Sequence, residues 1–164
     1  MAFVIINLVC VAALVGADQL IKLWAVRALA PVGAMPLIPH LVELRFVLNQ
    51  GMAFSLLSGK QLFLIVATSA ALLLVAYELF FRSRGKLLQR IAFILVLGGG
   101  IGNLIDRIFR DGLVVDYLDV KLFHFAVFNF ADCCVVVGVV LLAWYLLFGE
   151  RRQKPAEKQE SKNA

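Results

Sequence analysis

Six aspartates, Asp18, Asp106, Asp111, Asp116, Asp119 and Asp132, are the residues best suited to chemistry in this 164-residue chain. Four of them lie in short polar stretches that interrupt apolar sequence: "GNLIDR" (102–107), "VVDYLD" (114–119) and "FNFADCC" (128–134). From Cys133 to Phe148 nothing is charged, so Asp132 stands at the threshold of a segment that reads as a membrane span. A carboxylate there is costly to bury, and intramembrane acids mark proton relays and substrate paths more often than packing. Each residue also has a plainer role open to it. Asn129 and Asp132, at i and i+3, suit the N-cap and first turn of a helix. Asn103, Asp106 and Arg107 share a helix face and fit an exposed ion pair. Asp18 and Lys22, at i and i+4, fit a structural pair.

The elements that must position these residues are membrane helices. The chain is 62% hydrophobic, against about 45–50% apolar in ordinary soluble proteins, and its mean hydropathy is +0.92. One apolar run covers residues 2–17 and continues through "ADQLIKLWAV"; it lacks the charged start and the cleavage site of a signal peptide. A second spans 62–81, about the 20 residues needed to cross the hydrocarbon layer. A third runs from Leu87 to Ile105 and a fourth from Phe130 to Phe148. Residues 1–149 are expected to form one four-span membrane domain, and 150–164 a charged, disordered tail.

The net charge of +5 does not point to nucleic acid, because basic residues are not interleaved with aromatics. Four Lys/Arg lie in "RSRGKLLQR" (82–90) and five in the tail, nine of the sixteen in the chain. Both segments read as cytoplasmic under the positive-inside rule, which puts both termini inside and loops 29–61 and 107–129 outside. Every Asp then falls on the outer half, while Glu78, Glu150, Glu157 and Glu160 fall inside. That asymmetry points to a polar site at the outer membrane boundary.

The outer loops carry further pattern. "LVELRFVLNQ" (41–50) alternates, with Leu44, Phe46 and Leu48 on one side and Glu43, Arg45 and Asn49 on the other, which predicts a strand. "LVVDYLDV" and "FHFAVFNF" predict more strand, and "GMAFSLLSG" (51–59) an interfacial helix or turn. The expected fold is an all-α membrane bundle of four helices with a small outer β-platform and a short interfacial helix. "GGGIGN" (98–103) contains a GxxxG spacing and predicts close helix packing. Cys10, Cys133 and Cys134 lie in apolar runs and read as small hydrophobes. His40 and His124 are isolated, so no metal site or cofactor is expected.

Taken in order, "DQLIK" (18–22), "NQGMAFS" (49–55), "GGGIGNLIDR" (98–107), "VVDYL" (114–118) and "FNFAD" (128–132) closely resemble the lipoprotein signal peptidases, or signal peptidase II. Gly100, Tyr117 and Cys133 stand where that family usually has Ala, Phe and Ser or Ala. The resemblance implies a bacterial inner-membrane aspartic endopeptidase. Such an enzyme removes signal peptides from diacylglyceryl-modified prolipoproteins and cuts immediately before the lipidated cysteine. It implies Asp116 and Asp132 as the catalytic pair, with Asn49, Asn103, Arg107 and Asn129 lining the site. Asp18, Lys22, Gly51 and Asp106 match further motif positions and are expected to support it. The partners implied are lipid-modified prolipoproteins and membrane lipid, with the enzyme itself monomeric.

Two neighbouring carboxylates supply both a base and an acid if they share one proton, because repulsion and desolvation keep the pair singly ionised. Arg107 is expected to pair with Asp106 or to brace the site. The alternative is a small transporter or proton-relay subunit, which would place acids near mid-membrane and show an internal repeat. Here the acids gather at one face and the two halves do not repeat.

Overall fold

The computed structural model describes residues 1–51, 60–83, 86–122 and 125–149. The segment "GMAFSLLSG" after Gly51 and the tail from Glu150 therefore lie outside the described residues, as does part of the basic loop. Helix α1 runs Ala2–Trp24 and continues as a wider π turn, Ala25–Leu29. Strands β1 (Ala34–Ile38) and β2 (Val42–Asn49) follow. Helix α2 covers Gln61–Tyr77 with a π turn over Glu78–Arg82, and α3 covers Leu87–Phe109. Strand β3 (Val114–Val120) leads to α4 (Phe130–Trp144), which ends in a π turn over Tyr145–Gly149.

All four expected spans are present as helices long and apolar enough to cross a bilayer. Their packing is that of a membrane protein. Leu62, Phe63, Val66, Leu73 and Leu74 of α2 are each more than half exposed, a surface suited to lipid and not to water. Helix α3 is central and packs on the other three. Its glycines divide the work between neighbours. A Cβ on Gly98 would collide with Leu14 of α1, and one on Gly102 with the Asp18 carboxylate. A Cβ on Gly100 would strike Leu72 of α2, and one on Gly99 the backbone oxygen of Ala131 in α4. The GxxxG pair, Gly98 and Gly102, thus brings α1 against α3.

These approaches make a prediction. Gly99→Ala places a methyl group against backbone, which cannot give way, and overpacking of this kind costs about 1–3 kcal/mol. Gly16 faces open space, so Gly16→Ala should gain up to about 1 kcal/mol from helix propensity. Melting in detergent should therefore fall for Gly99→Ala and hold or rise for Gly16→Ala. Equal midpoints would refute the close-contact account.

The three strands form one antiparallel sheet in the order β1-β2-β3. β1 was not anticipated; its Pro36 and its mostly exposed residues hide the strand pattern. β2 departs from simple alternation. Val42, Glu43 and Leu44 face Val120, Asp119 and Leu118, but Val47, Leu48 and Asn49 face Asp116, Val115 and Val114. One extra residue has entered β2, a bulge, and it reverses which face later side chains occupy. Leu48 consequently lies 47% exposed, and Asn49 lands on the face of its diagonal neighbour Asp116. The predicted grouping of Leu48 with Leu44, and of Asn49 with Glu43, fails for this reason.

"FHFAVFNF" also departs from expectation. Among its described residues only Phe128 makes a bridge, to Leu118, whose N–H donates to Phe128 O at 2.8 Å. The ladder goes no further because the chain enters α4 at once: the next residue, Asn129, caps that helix. Beneath the sheet, Ala25, Leu29, Leu44, Val115 and Tyr117 form a small core that seats it on the end of α1.

Candidate active site

The site forms where β3, the start of α4 and the C-terminal end of α3 meet. Asn129 is the N-cap of α4 and makes a full capping box. Its Oδ1 accepts from the Asp132 N–H at 2.9 Å, and Asp132 Oδ2 accepts from the Asn129 N–H at 3.1 Å. Capping is thus a true role of these two residues, and it is not their whole role. The Asn129 amide Nδ2 also donates to Asp116 Oδ1 at 2.7 Å, to Asn103 Oδ1 at 3.0 Å and to Val115 O at 3.3 Å. One residue therefore touches both Asp116 and Asp132.

Each carboxylate takes a second donor from another element. Asn103 Nδ2 donates to Asp132 Oδ1 at 2.7 Å. Asn49 Nδ2, brought round by the β2 bulge, donates to Asp116 Oδ2 at 2.9 Å, while its Oδ1 accepts the Gly51 N–H at 2.9 Å. Asp116 is only 2% exposed. Burial pushes its carboxyl up to about 7, opposed by the Asn49 hydrogen bond and reinforced by the negative charge of Asp132. A group with that value holds its proton in a large fraction of molecules near neutral pH.

Behind this layer lies a buried ionic knot. Lys22, with no exposed surface, donates to Asp18 Oδ2 at 2.9 Å, Asp106 Oδ2 at 3.0 Å and Asn103 Oδ1 at 2.8 Å. The second oxygen of Asp18 accepts the Ala131 N–H, from the second residue of α4. Asp106 accepts the Val115 N–H at 3.1 Å, one residue before Asp116. The knot therefore fastens α1, α3, α4 and β3 to one another. The expected Asp18–Lys22 pair is real, but it is one edge of this larger arrangement.

Arg107 does not pair with Asp106. Arg110, one turn further on, takes that acid at 3.2 Å, and Arg107 Nη2 instead donates to Gly51 O at 3.1 Å. Arg107 thus braces the chain just past Asn49. All ten residues singled out from sequence are gathered here, Asp116, Asp132, Asn49, Gly51, Asn103, Arg107 and Asn129 in front and Asp18, Lys22 and Asp106 behind. Three contributors were missed. Gln19 donates to Gly102 O and both acids of the knot, Arg110 pairs with Asp106, and the Tyr117 hydroxyl accepts the Phe130 N–H. Only Arg110 had a signal, its i+4 spacing from Asp106.

A cavity of about 470 Å³ opens over the two carboxylates. Asn49, Asn103 and Arg107 stand on its polar side, and Val135, Val136 and Val137 of α4 form an apolar wall. Val136 and Val137 are also 61% and 50% exposed on the bundle exterior, so the cavity borders the lipid-facing surface. Two acids, a set of amide donors and an apolar flank suit a peptide presented from a membrane.

Known proteins share both sequence and fold. Residues 10–148 match the family model described as Signal peptidase (SPase) II. The lipoprotein signal peptidase of Clostridioides difficile (strain 630) is 42% identical over 144 residues, spanning 86% of this chain and 94% of that one. That of Caldanaerobacter subterraneus subsp. tengcongensis is 41% identical over 141 residues, spanning 86% and 95%. A bacterial membrane enzyme structure at 2.3 Å resolution superposes with a TM-score of 0.81 at 29% identity, covering 91% of this chain and 92% of that chain. With four apolar helices, a small antiparallel sheet and a family match over most of its length, this chain belongs to the signal peptidase II family of lipoprotein signal peptidases.

Proposed function

We propose that this protein is an aspartic endopeptidase that removes the signal peptide from diacylglyceryl-modified prolipoproteins, cutting immediately N-terminal to the lipidated cysteine. The observation that carries the reading is Asn129, which holds Asp116 through its side chain and Asp132 through its backbone at the floor of one cavity. In the proposed reaction the ionised carboxylate takes a proton from a water molecule as the water oxygen attacks the scissile carbonyl carbon. The protonated partner gives its proton to the carbonyl oxygen. Collapse of the tetrahedral diol then breaks the C–N bond, with a proton delivered to the leaving amine.

The apolar wall of α4 supports a lipidated substrate. Two acyl chains stay in the bilayer while the peptide reaches the carboxylates, so cleavage takes place at membrane level. Purified protein in lipid, given a diacylglyceryl-modified prolipoprotein, should release the intact signal peptide and leave a product beginning at the lipidated cysteine. Cleavage at another bond, or equal cleavage of the unlipidated precursor, would refute the substrate assignment.

The proposed setting is the bacterial inner membrane, with both termini in the cytoplasm and the site near the outer face, since positive charge collects at 82–90 and in the tail. Reporter fusions at Gly85 and after Arg152 should score as internal. A fusion at Gly112, in the turn between α3 and β3, should score as external. An internal signal at Gly112 would invert the topology.

A further inference from the structure

We propose that Lys22 is a positioning residue that acts through Asn103 to make Asp132 the ionised member of the pair, leaving the shared proton on Asp116. The inference rests on the aspartic reading and goes beyond it, because a dyad is defined without saying which member is the base.

Hydrogen-bond direction is set outward from Lys22, since an ammonium group donates and never accepts. Lys22 has three protons and meets three acceptors, Asp18, Asp106 and Asn103 Oδ1, so every proton is committed. Asn103 must therefore keep its oxygen toward Lys22, where Asn129 Nδ2 donates to the same atom. Its NH₂ group is left to face Asp132 Oδ1 at 2.7 Å. The other oxygen of Asp132 meets the Asn129 backbone N–H, which cannot turn over. Both oxygens of Asp132 thus face donors of fixed direction, in the first turn of α4 where the helix dipole favours an anion. A proton on Asp132 would weaken the acceptor it sits on, so both donors favour the anion.

Asp116 is held less rigidly. One of its donors, Asn49, is oriented by a single contact from the Gly51 N–H. If that contact opens, Asn49 can turn its oxygen toward a protonated Asp116. Asp116 is also nearly fully buried, whereas Asp132 is half-buried. Among the described residues, the groups that act on the pair are Lys22 from α1, Arg107 from α3, the Tyr117 hydroxyl from β3 and the Cys133 thiol from α4, while β2 meets it with the neutral Asn49. Burial raises the Asp116 carboxyl to about 7, consistent with its role as the acid.

The test uses the charge-balanced double variant Lys22→Met, Asp18→Asn. It leaves Asp106 paired with Arg110 and keeps an oxygen for the Ala131 N–H. Log kcat/KM against pH on a lipidated prolipoprotein should show an acid limb, where the base of the pair is lost, and an alkaline limb, where its acid is lost. In the double variant the acid limb should move up by about one pH unit, as loss of a fixed donor predicts, and by more than the alkaline limb, which Lys22 reaches only through its charge. A lower rate with both limbs in place would mean a purely structural role. Movement of the alkaline limb alone would reverse the assignment, and either result overturns the proposal.

Should the double variant not fold, Asp116→Asn and Asp132→Asn decide by melting in detergent at pH 8. Ionising Asp116 costs stability as pH rises from its ordinary 3.8 toward about 7, so Asp116→Asn should melt at or above wild type. Asp132→Asn turns an NH₂ toward fixed donors and should melt several degrees lower. The opposite order overturns the proton assignment. Near-normal turnover in either single variant would instead sink the dyad itself, a separate outcome.

Discussion

Asp116→Asn, Asp132→Asn and the double variant should each cleave a lipidated prolipoprotein at least about 10³-fold more slowly than wild type, with the double scarcely worse than the singles. In the proposed dyad both residues are needed for one event. Removing either ionisable group ends proton exchange, so the second loss has little left to take away. Purely structural roles for the two acids would give different patterns. If Asp132 served only as part of the capping box, Asp132→Asn would keep an acceptor for the Asn129 N–H and lose little activity. If the acids merely supported the fold, inactivity would come with loss of membrane insertion. Asp111→Asn is the control: Asp111 sits in the turn after α3 at a φ of 53°, a conformation Asn accepts well, and should remain active. Independent tenfold losses that multiply in the double variant would contradict a shared-proton pair.

The four helices were legible because lipid demands about 20 apolar residues of every span, and little else in a sequence looks like that. The glycine run was legible as packing for a similar reason, since a GxxxG spacing in apolar sequence marks a close approach. Which neighbour each glycine meets was not. That assignment depends on the crossings of three helices around α3, as the separate contacts of Gly98, Gly99 and Gly100 show. The β2 bulge was equally hidden. Alternation in "LVELRFVLNQ" reads as an unbroken strand, and one inserted residue reverses the direction of Asn49 without leaving a mark in composition. The site depends on that reversal, because Asn49 reaches Asp116 only from the reversed face.

Among the polar residues, the ordered motifs drew attention to positions that the fold gathers in one place, while the connections between them came from the fold. Asp18 and Lys22 were readable as a pair from their spacing. Asp106 lies far along the chain from Lys22, and nothing local predicts that it shares the same ammonium group. For Arg107 the sequence left two roles open, pairing with Asp106 or bracing the site, and the fold takes the second. Asp106 was already held by Lys22 and Arg110, which left Arg107 to take the Gly51 carbonyl.

Asn129 should separate capping from catalysis. Asn129→Ala removes the acceptor for the Asp132 N–H and the donor to Asp116, Asn103 and Val115. Losing the cap costs about 1 kcal/mol, and each buried partner left unsatisfied costs about 1–3 kcal/mol more. Stability and activity should therefore fall together, with turnover down by about 10²-fold or more for a loss near 3 kcal/mol in the transition state. Asn129→Ser behaves differently. Serine is as good a cap as asparagine, so most of the stability lost to alanine should return. Its short hydroxyl carries no NH₂ group to span from the helix end to Asp116, so activity should stay low. A serine variant that is stable and inactive locates the catalytic contribution in the Asn129 amide contact with Asp116. If serine restored turnover along with stability, capping alone would account for Asn129, and the bridge between the two carboxylates would have no part in the chemistry.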